Sequence, residues 1–133
     1  MTPGDLTADA LQFLTERHLA TLTTVAATGE LHVVPVGFTW LDGVARVITS
    51  GDSHKVRNVR ATGQAALCQV EGRRWLTLRG PAVVRAEPEE VAAAEALYAR
   101  RYRTPRVNPR RVVIEIQVEH ILARGLSRAA PPS

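Results

Sequence analysis

LHVVPVGFTWLDGVARVIT, residues 31–49, decides the fold of this chain. Two runs rich in β-branched and aromatic residues, 31–40 and 44–49, flank Asp42-Gly43. That dipeptide favours a tight turn between antiparallel strands. The segment therefore reads as a hairpin, not as a strand followed by a crossover helix. Pro35 and Gly37 inside the first run predict an edge strand, a bulge, or a ligand lying close to the backbone.

Working outward, Ser50-Gly51-Asp52-Ser53 breaks the strand pattern. Ser53 then caps a short helix, 54–61, closed by Thr62-Gly63. Strands at 65–70 and 75–85 follow, joined by a Glu71-Gly72 turn. Upstream, Leu6, Ala10, Leu11 and Leu14 recur at helical spacing, so 7–17 reads as a helix with Thr7 as its N-cap. A strand at 19–26 and a turn around Gly29 lead into the opening hairpin. Downstream, Glu87-Pro88-Glu89-Glu90 starts a helix with Pro in its first turn and acids at its positive end. It runs to about Tyr102. After a Pro-containing loop, 104–109, residues 111–120 form the last strand, and an unstructured tail is expected over 125–133. Six strands and three helices, connected mainly by hairpins, exclude a doubly wound parallel sheet. The expected fold is mainly β with flanking helices: one domain, 1–124, whose six-stranded antiparallel sheet closes into a small barrel.

Composition narrows the function. The chain has 133 residues, 45% apolar and 23% charged, which suits a single globular domain. Its single cysteine, Cys68, excludes an internal disulfide, and with four scattered His a structural zinc site is not expected. No apolar run approaches the ~18 residues of a membrane span. Met1–Asp5 lack a basic-then-apolar leader pattern, so a cytoplasmic protein is expected. The net charge is +4, and 16 of the 17 basic residues are Arg; Lys55 is the exception. Such an excess suits an anionic partner: nucleic acid, membrane surface or small molecule.

Three places could hold that partner. At 50–58 a strand ends, a glycine turn follows and a helix begins beside Ser53, His54, Lys55 and Arg57. Free N–H groups at a helix start, with a hydroxyl and cations, suit a phosphate. The same residues would also make an ordinary capped surface helix. Residues 100–111 hold six Arg, suited to carboxylates or phosphates, although three of them also complement a helix C-terminus. Trp75, beside Arg73 and Arg74, could flank a planar ring or belong to a core or interface. Aromatics are only 5% of residues, so a base-stacking surface is not expected, nor is nucleic acid as a partner. No nucleophile elbow or carboxylate pair stands out. If the protein is an enzyme, a cofactor carries the chemistry.

The succession of helix, hairpins, S-x-K opening a short helix, and strand–turn–strand resembles the split β-barrel flavin and deazaflavin oxidoreductases related to pyridoxamine 5′-phosphate oxidase. The resemblance spans residues 6–122 and implies an FMN-binding split-barrel-like fold. In the flavin branch an Arg-Lys pair grips the FMN phosphate. Here the matching positions are His54 and Lys55, and the loss of the Arg favours coenzyme F420 over FMN. Residues 13–20, 45–49, 67–70, 101–106 and 108–115 are similar to the F420-dependent biliverdin reductases of that superfamily, an actinobacterial branch.

This resemblance implies a homodimer with cofactor sites in grooves between protomers. It implies that Val34, Pro35, Val36, Ile48, Thr49 and Ser50 line the deazaflavin ring. Ser53, His54 and Lys55 would hold its phosphate, and Gln69 and Trp75 would approach the ring. The implied reaction is hydride transfer from reduced F420 to a small anionic acceptor, biliverdin, giving bilirubin. Its propionates would meet Arg101, Arg103, Arg106 or Arg110. The alternatives are a quinone or enone reductase and a non-catalytic F420- or tetrapyrrole-binding protein.

Overall fold

A computed structural model describes residues 1–126. A 3-10 turn (Pro3–Asp5) precedes helix α1 (Ala8–Thr15) and strands β1 (Leu19–Val25), β2 (Leu31–Val36), β3 (Thr39–Leu41) and β4 (Val44–Ser50). Helix α2 (His54–Thr62), strands β5 (Gln64–Glu71) and β6 (Arg74–Arg85), helix α3 (Pro88–Arg101), and strands β7 (Arg111–Gln117) and β8 (His120–Arg124) complete it.

The local signals act as the sequence predicts. Thr7 accepts a hydrogen bond from the Ala10 N–H at 3.1 Å and starts α1. Asp42 and Gly43 both take positive φ, the conformation of a tight hairpin turn, between β3 and β4. Gly63 closes α2 in the left-handed conformation. Helix α1 stops at Thr15, two residues short of the expected end. Glu16 is extended, and its carbonyl is turned to the Arg101 guanidinium.

Every strand pairing is antiparallel, in the order β2-β1-β5-β6-β7-β4-β3, with β8 on β6. The mainly β class with flanking helices holds, but the described residues form eight strands where six are expected. Both extra strands come from corners. The run 31–40 divides at Gly37-Phe38, where the chain leaves β1 for β4. The Phe38 N–H donates to the Tyr102 hydroxyl instead of to a strand. The run 111–120 divides at Val118-Glu119, whose N–H groups donate to Gly43 and Arg79. Beyond that corner β8 turns onto the first half of β6, while β7 pairs its second half. Strand β6 thus joins two half-sheets. The edge strands β2 and β3 are not paired with each other, so the sheet is open where closure into a barrel is expected.

The core fills the space between the half-sheets and the helices. Phe13 and Leu14 of α1, Leu22, Leu67, Leu76, Leu78, Ile114 and Ile116 of the strands, and Val56 of α2 are all essentially inaccessible. Asn58 fastens α2 to β1 by donating to the buried Thr24 hydroxyl at 3.0 Å. At the C-terminal end Leu126 packs on this core; residues 127–133, where the expected tail continues, lie outside the described residues. Among the described residues no helix is long and apolar enough to cross a membrane.

Candidate functional site

Strand β4 ends where α2 begins, and the two present their facing side chains to β2, α3 and the loop after α3. Between them lies an open pocket of about 380 Å³. Its floor is apolar, formed by Pro35, Val36, Val47 and Ile48. Thr49, Ser50, Lys55, Tyr98, Arg103, Arg106, Asn108 and Arg111 complete the wall. The lining as a whole is more polar than apolar, which suits a small molecule that carries charged groups beside an apolar part.

The loop after α3 is anchored to the end of β4. Asn108 donates to the Ser50 hydroxyl at 2.8 Å, and the Gly51 N–H donates to the Arg110 carbonyl at 2.8 Å. A Cβ on Gly51 would stand 3.1 Å from that carbonyl, so the close approach favours a glycine there. Arg111 binds Glu95 of α3 at 2.6 Å and fixes the helix to the base of the wall. Arg103 and Arg106 are exposed and have no carboxylate partner among the described residues.

Lys55 sits in the first turn of α2, half-buried, and burial pushes its pKa down. It also lacks a carboxylate partner among the described residues. Ser53 occupies the N-cap position, but its side chain caps nothing; its hydroxyl instead accepts from the Thr49 hydroxyl at 3.4 Å. The first N–H groups of α2 therefore keep their donor capacity beside an uncompensated ammonium. Such an arrangement suits an anionic group.

The fifteen expected site residues divide. Pro35, Val36, Ile48, Thr49, Ser50, Lys55, Arg103 and Arg106 come together in this pocket. Val34 and Ser53 adjoin it through their neighbours. His54 is exposed and leans toward β2, its ring stacked on His32 at 5.4 Å. Four residues are elsewhere. Trp75 lines a different pocket, with Met1, Leu6 and Leu122. Gln69 is fully buried, donating to the Phe13 carbonyl at 2.6 Å and accepting from Arg101. The Arg101 guanidinium turns inward to the carbonyls of Glu16 and Phe38 and to Gln69, so no fork is left for a carboxylate. Arg110 forms an exposed pair with Asp52 at 3.4 Å. The pocket also takes in Gly37, Val47, Tyr98, Pro105, Asn108 and Arg111, none of them among the fifteen, although Arg111 lies in the Arg-rich stretch. Tyr98 had a legible signal: it lies one helical turn before Tyr102, a spacing that brings two rings together.

The pattern of the pyridoxamine 5′-phosphate oxidase family matches residues 6–125. The chain is 56% identical over 123 residues to the F420H(2)-dependent biliverdin reductase of Mycobacterium tuberculosis (strain CDC 1551 / Oshkosh), covering 91% of this chain and 90% of that protein. Among solved structures, an F420 reductase superposes with a TM-score of 0.70 at 24% identity, covering 84% of this chain and 94% of the other. The heme storage protein HutZ of Vibrio cholerae superposes with a TM-score of 0.77 at 20% identity, covering 92% and 96%. These last two likenesses concern the split-barrel fold.

Proposed function

The chain belongs to the pyridoxamine 5′-phosphate oxidase family and is an F420H2-dependent reductase, and from that premise we propose that its acceptor is biliverdin, reduced to bilirubin at the Lys55 pocket. One observation carries the reading. Three cations without carboxylate partners among the described residues, Lys55, Arg103 and Arg106, surround an apolar floor at the start of α2. The residues fit the cofactor: a flat apolar surface suits a deazaflavin ring, and the ammonium with the free N–H groups suits its phosphate. When bound, the reduced deazaflavin supplies a hydride.

The chain's own residues bind and align. Lys55 and the first turn of α2 hold the phosphate, with Ser53 and His54 beside it. Val34, Pro35, Val36, Ile48 and Thr49 would line the deazaflavin ring. Arg103 and Arg106, carried on the anchored loop, take the acceptor's carboxylates. Holding donor and acceptor in register lowers the barrier without a dedicated nucleophile.

Fluorescence titration tests the site. Wild-type protein is expected to bind F420 more tightly than FMN. Lys55→Met should weaken F420 binding about 10- to 100-fold, the loss of one charge-assisted contact. The native state binds the Lys55 proton less tightly than the unfolded chain, so the charged form costs stability below its lowered pKa. Lys55→Met therefore should not lower Tm. Unchanged F420 affinity would place the phosphate elsewhere. A panel of acceptors ranked by kcat/KM, with quinones and enones beside biliverdin, tests the acceptor. F420 binding without turnover of any of them would favour a binding protein.

The assembly proposed is a homodimer. The outer face of the β2-β1-β5-β6-β8 half-sheet carries an in-register row of Pro35, Thr21, Cys68, Thr77 and Leu122, without a charge. Leu19 is 83% and Leu31 72% exposed on the same half-sheet. A second copy covering this face would remove apolar surface that a monomer leaves in water. Sedimentation velocity should give twice the chain mass; a monomer at micromolar concentration sinks the assembly.

A further inference from the structure

We propose that the hydroxyl of Tyr98 supplies the proton that completes acceptor reduction, an inference that rests on the reductase reading above. Hydride addition to a conjugated acceptor forms one C–H bond. The displaced π-electrons move to a heteroatom at the far end, which must then gain a proton. The pocket offers few groups able to give one.

The Thr49 hydroxyl donates to Ser53, whereas the Ser50 hydroxyl accepts from Asn108 and keeps its own O–H. Alcohols in any case hold their protons more tightly than a phenol. Arg111 is paired with Glu95, and Arg103 and Arg106 stay charged as all guanidiniums do. Lys55 lies at the α2 end, where a bound phosphate strengthens its hold on its proton. Tyr98 remains.

Tyr98 of α3 and Tyr102, the residue that caps its C-terminus, have ring centroids 4.8 Å apart, yet they are used differently. The Tyr102 hydroxyl is bound to both the N–H and the carbonyl of Phe38. The Tyr98 hydroxyl has no hydrogen-bond partner among the described residues, and its side chain lines the pocket. Its ring is held without it. It packs on the Tyr102 ring and lies beside Gly37, where an added Cβ would stand 3.4 Å from Tyr98 Cε2. A phenol fixed by ring packing, with its O–H unspent, is pre-set to donate.

In the step, the Tyr98 O–H bond breaks and a bond from hydrogen to the acceptor heteroatom forms. The phenolate regains its proton from water at the open mouth of the pocket. The hydride and its electron pair come from F420H2, so atoms and charge balance.

Tyr98→Phe tests this, because it keeps the ring packing and removes only the hydroxyl. F420 affinity by fluorescence should be unchanged, while kcat with F420H2 and biliverdin falls about 100-fold. The alkaline limb of the wild-type pH–rate profile should disappear. Without cofactor, the absorption band of bound biliverdin should differ between wild type and variant, since one hydrogen bond to the chromophore is gone. A variant with kcat within about twofold of wild type and the same pH profile overturns the proposal and leaves the reductase reading standing. Loss of F420 binding in the variant also overturns it, by making Tyr98 a cofactor contact. If wild type itself oxidises no F420H2 with any acceptor, the reductase reading fails and takes the proposal with it.

Discussion

Arg101→Ala is expected to cost about 3–5 kcal/mol of folding stability, a large part of what a domain of this size possesses. Its guanidinium has no carboxylate partner among the described residues. It donates to the Glu16 carbonyl at 2.6 and 3.3 Å, to the Phe38 carbonyl and to Gln69 Oε1, each at 2.5 Å. It also lies 4.7 Å from the centre of the Phe38 ring. Burial pushes its pKa down, but a guanidinium stays charged, so the protein meets the charge with oriented dipoles. Gln69 passes the connection to Phe13, so one side chain ties α3 to α1, β5 and the β2–β3 corner.

Truncation leaves the Glu16 carbonyl and Gln69 Oε1 unpaired, each costing about 1–3 kcal/mol before relaxation, while the Phe38 carbonyl keeps its bond from Tyr102. Urea unfolding should show a lower midpoint with an unchanged slope. Arg101→Lys should recover little, because one ammonium cannot span three acceptors held in a fork. The control is Arg106→Ala, expected to leave stability within about 0.5 kcal/mol while weakening acceptor binding. Normal stability with lost biliverdin affinity in Arg101→Ala would return Arg101 to the substrate-binding set.

Gly80→Ala should destabilise by about 3 kcal/mol or more. Gly80 lies where the β7–β8 corner crosses β6. A Cβ there would overlap the Gln117 carbonyl oxygen and stand 3.2 Å from the Glu119 nitrogen. Those atoms are backbone and cannot rotate away. The Glu119 N–H bond to the Arg79 carbonyl at 3.0 Å holds them in place. To admit a methyl group, β6 must part from the corner that turns one half-sheet into the other. Gly72→Ala is the comparison. Gly72 has positive φ but nothing within 4 Å of its added Cβ, so only backbone strain remains, about 1 kcal/mol. Equal midpoints for the two variants would mean that the corner is not closely packed.

The two half-sheets were partly legible. Hairpin turns, the Thr7 cap, Pro88 in the first turn of α3 and the Gly63 stop are short-range features, and each works through neighbours within four residues. Hence the strands, the helices and their antiparallel pairing could be read from the chain. The corners at Gly37-Phe38 and Val118-Glu119 could not. An apolar run looks alike whether it pairs with one sheet throughout or changes partners midway. The anion site proposed at Lys55 could be read from the chain because its ingredients are adjacent in sequence. Tyr98 escaped notice because its value lies in an unspent hydroxyl, and that depends on what fails to reach it.

The arginines show the division most clearly. By itself the sequence determined a small antiparallel β domain, a basic excess, and a lone lysine opening a helix. All follow from local backbone preference and composition. Only the tertiary structure decided that Arg101 belongs to the interior and Arg103 to the pocket, though one residue separates them. The acceptors that claim Arg101 lie 32, 63 and 85 positions away along the chain. A side chain's role is set by the groups that arrive beside it, and distant groups arrive only when the chain has folded.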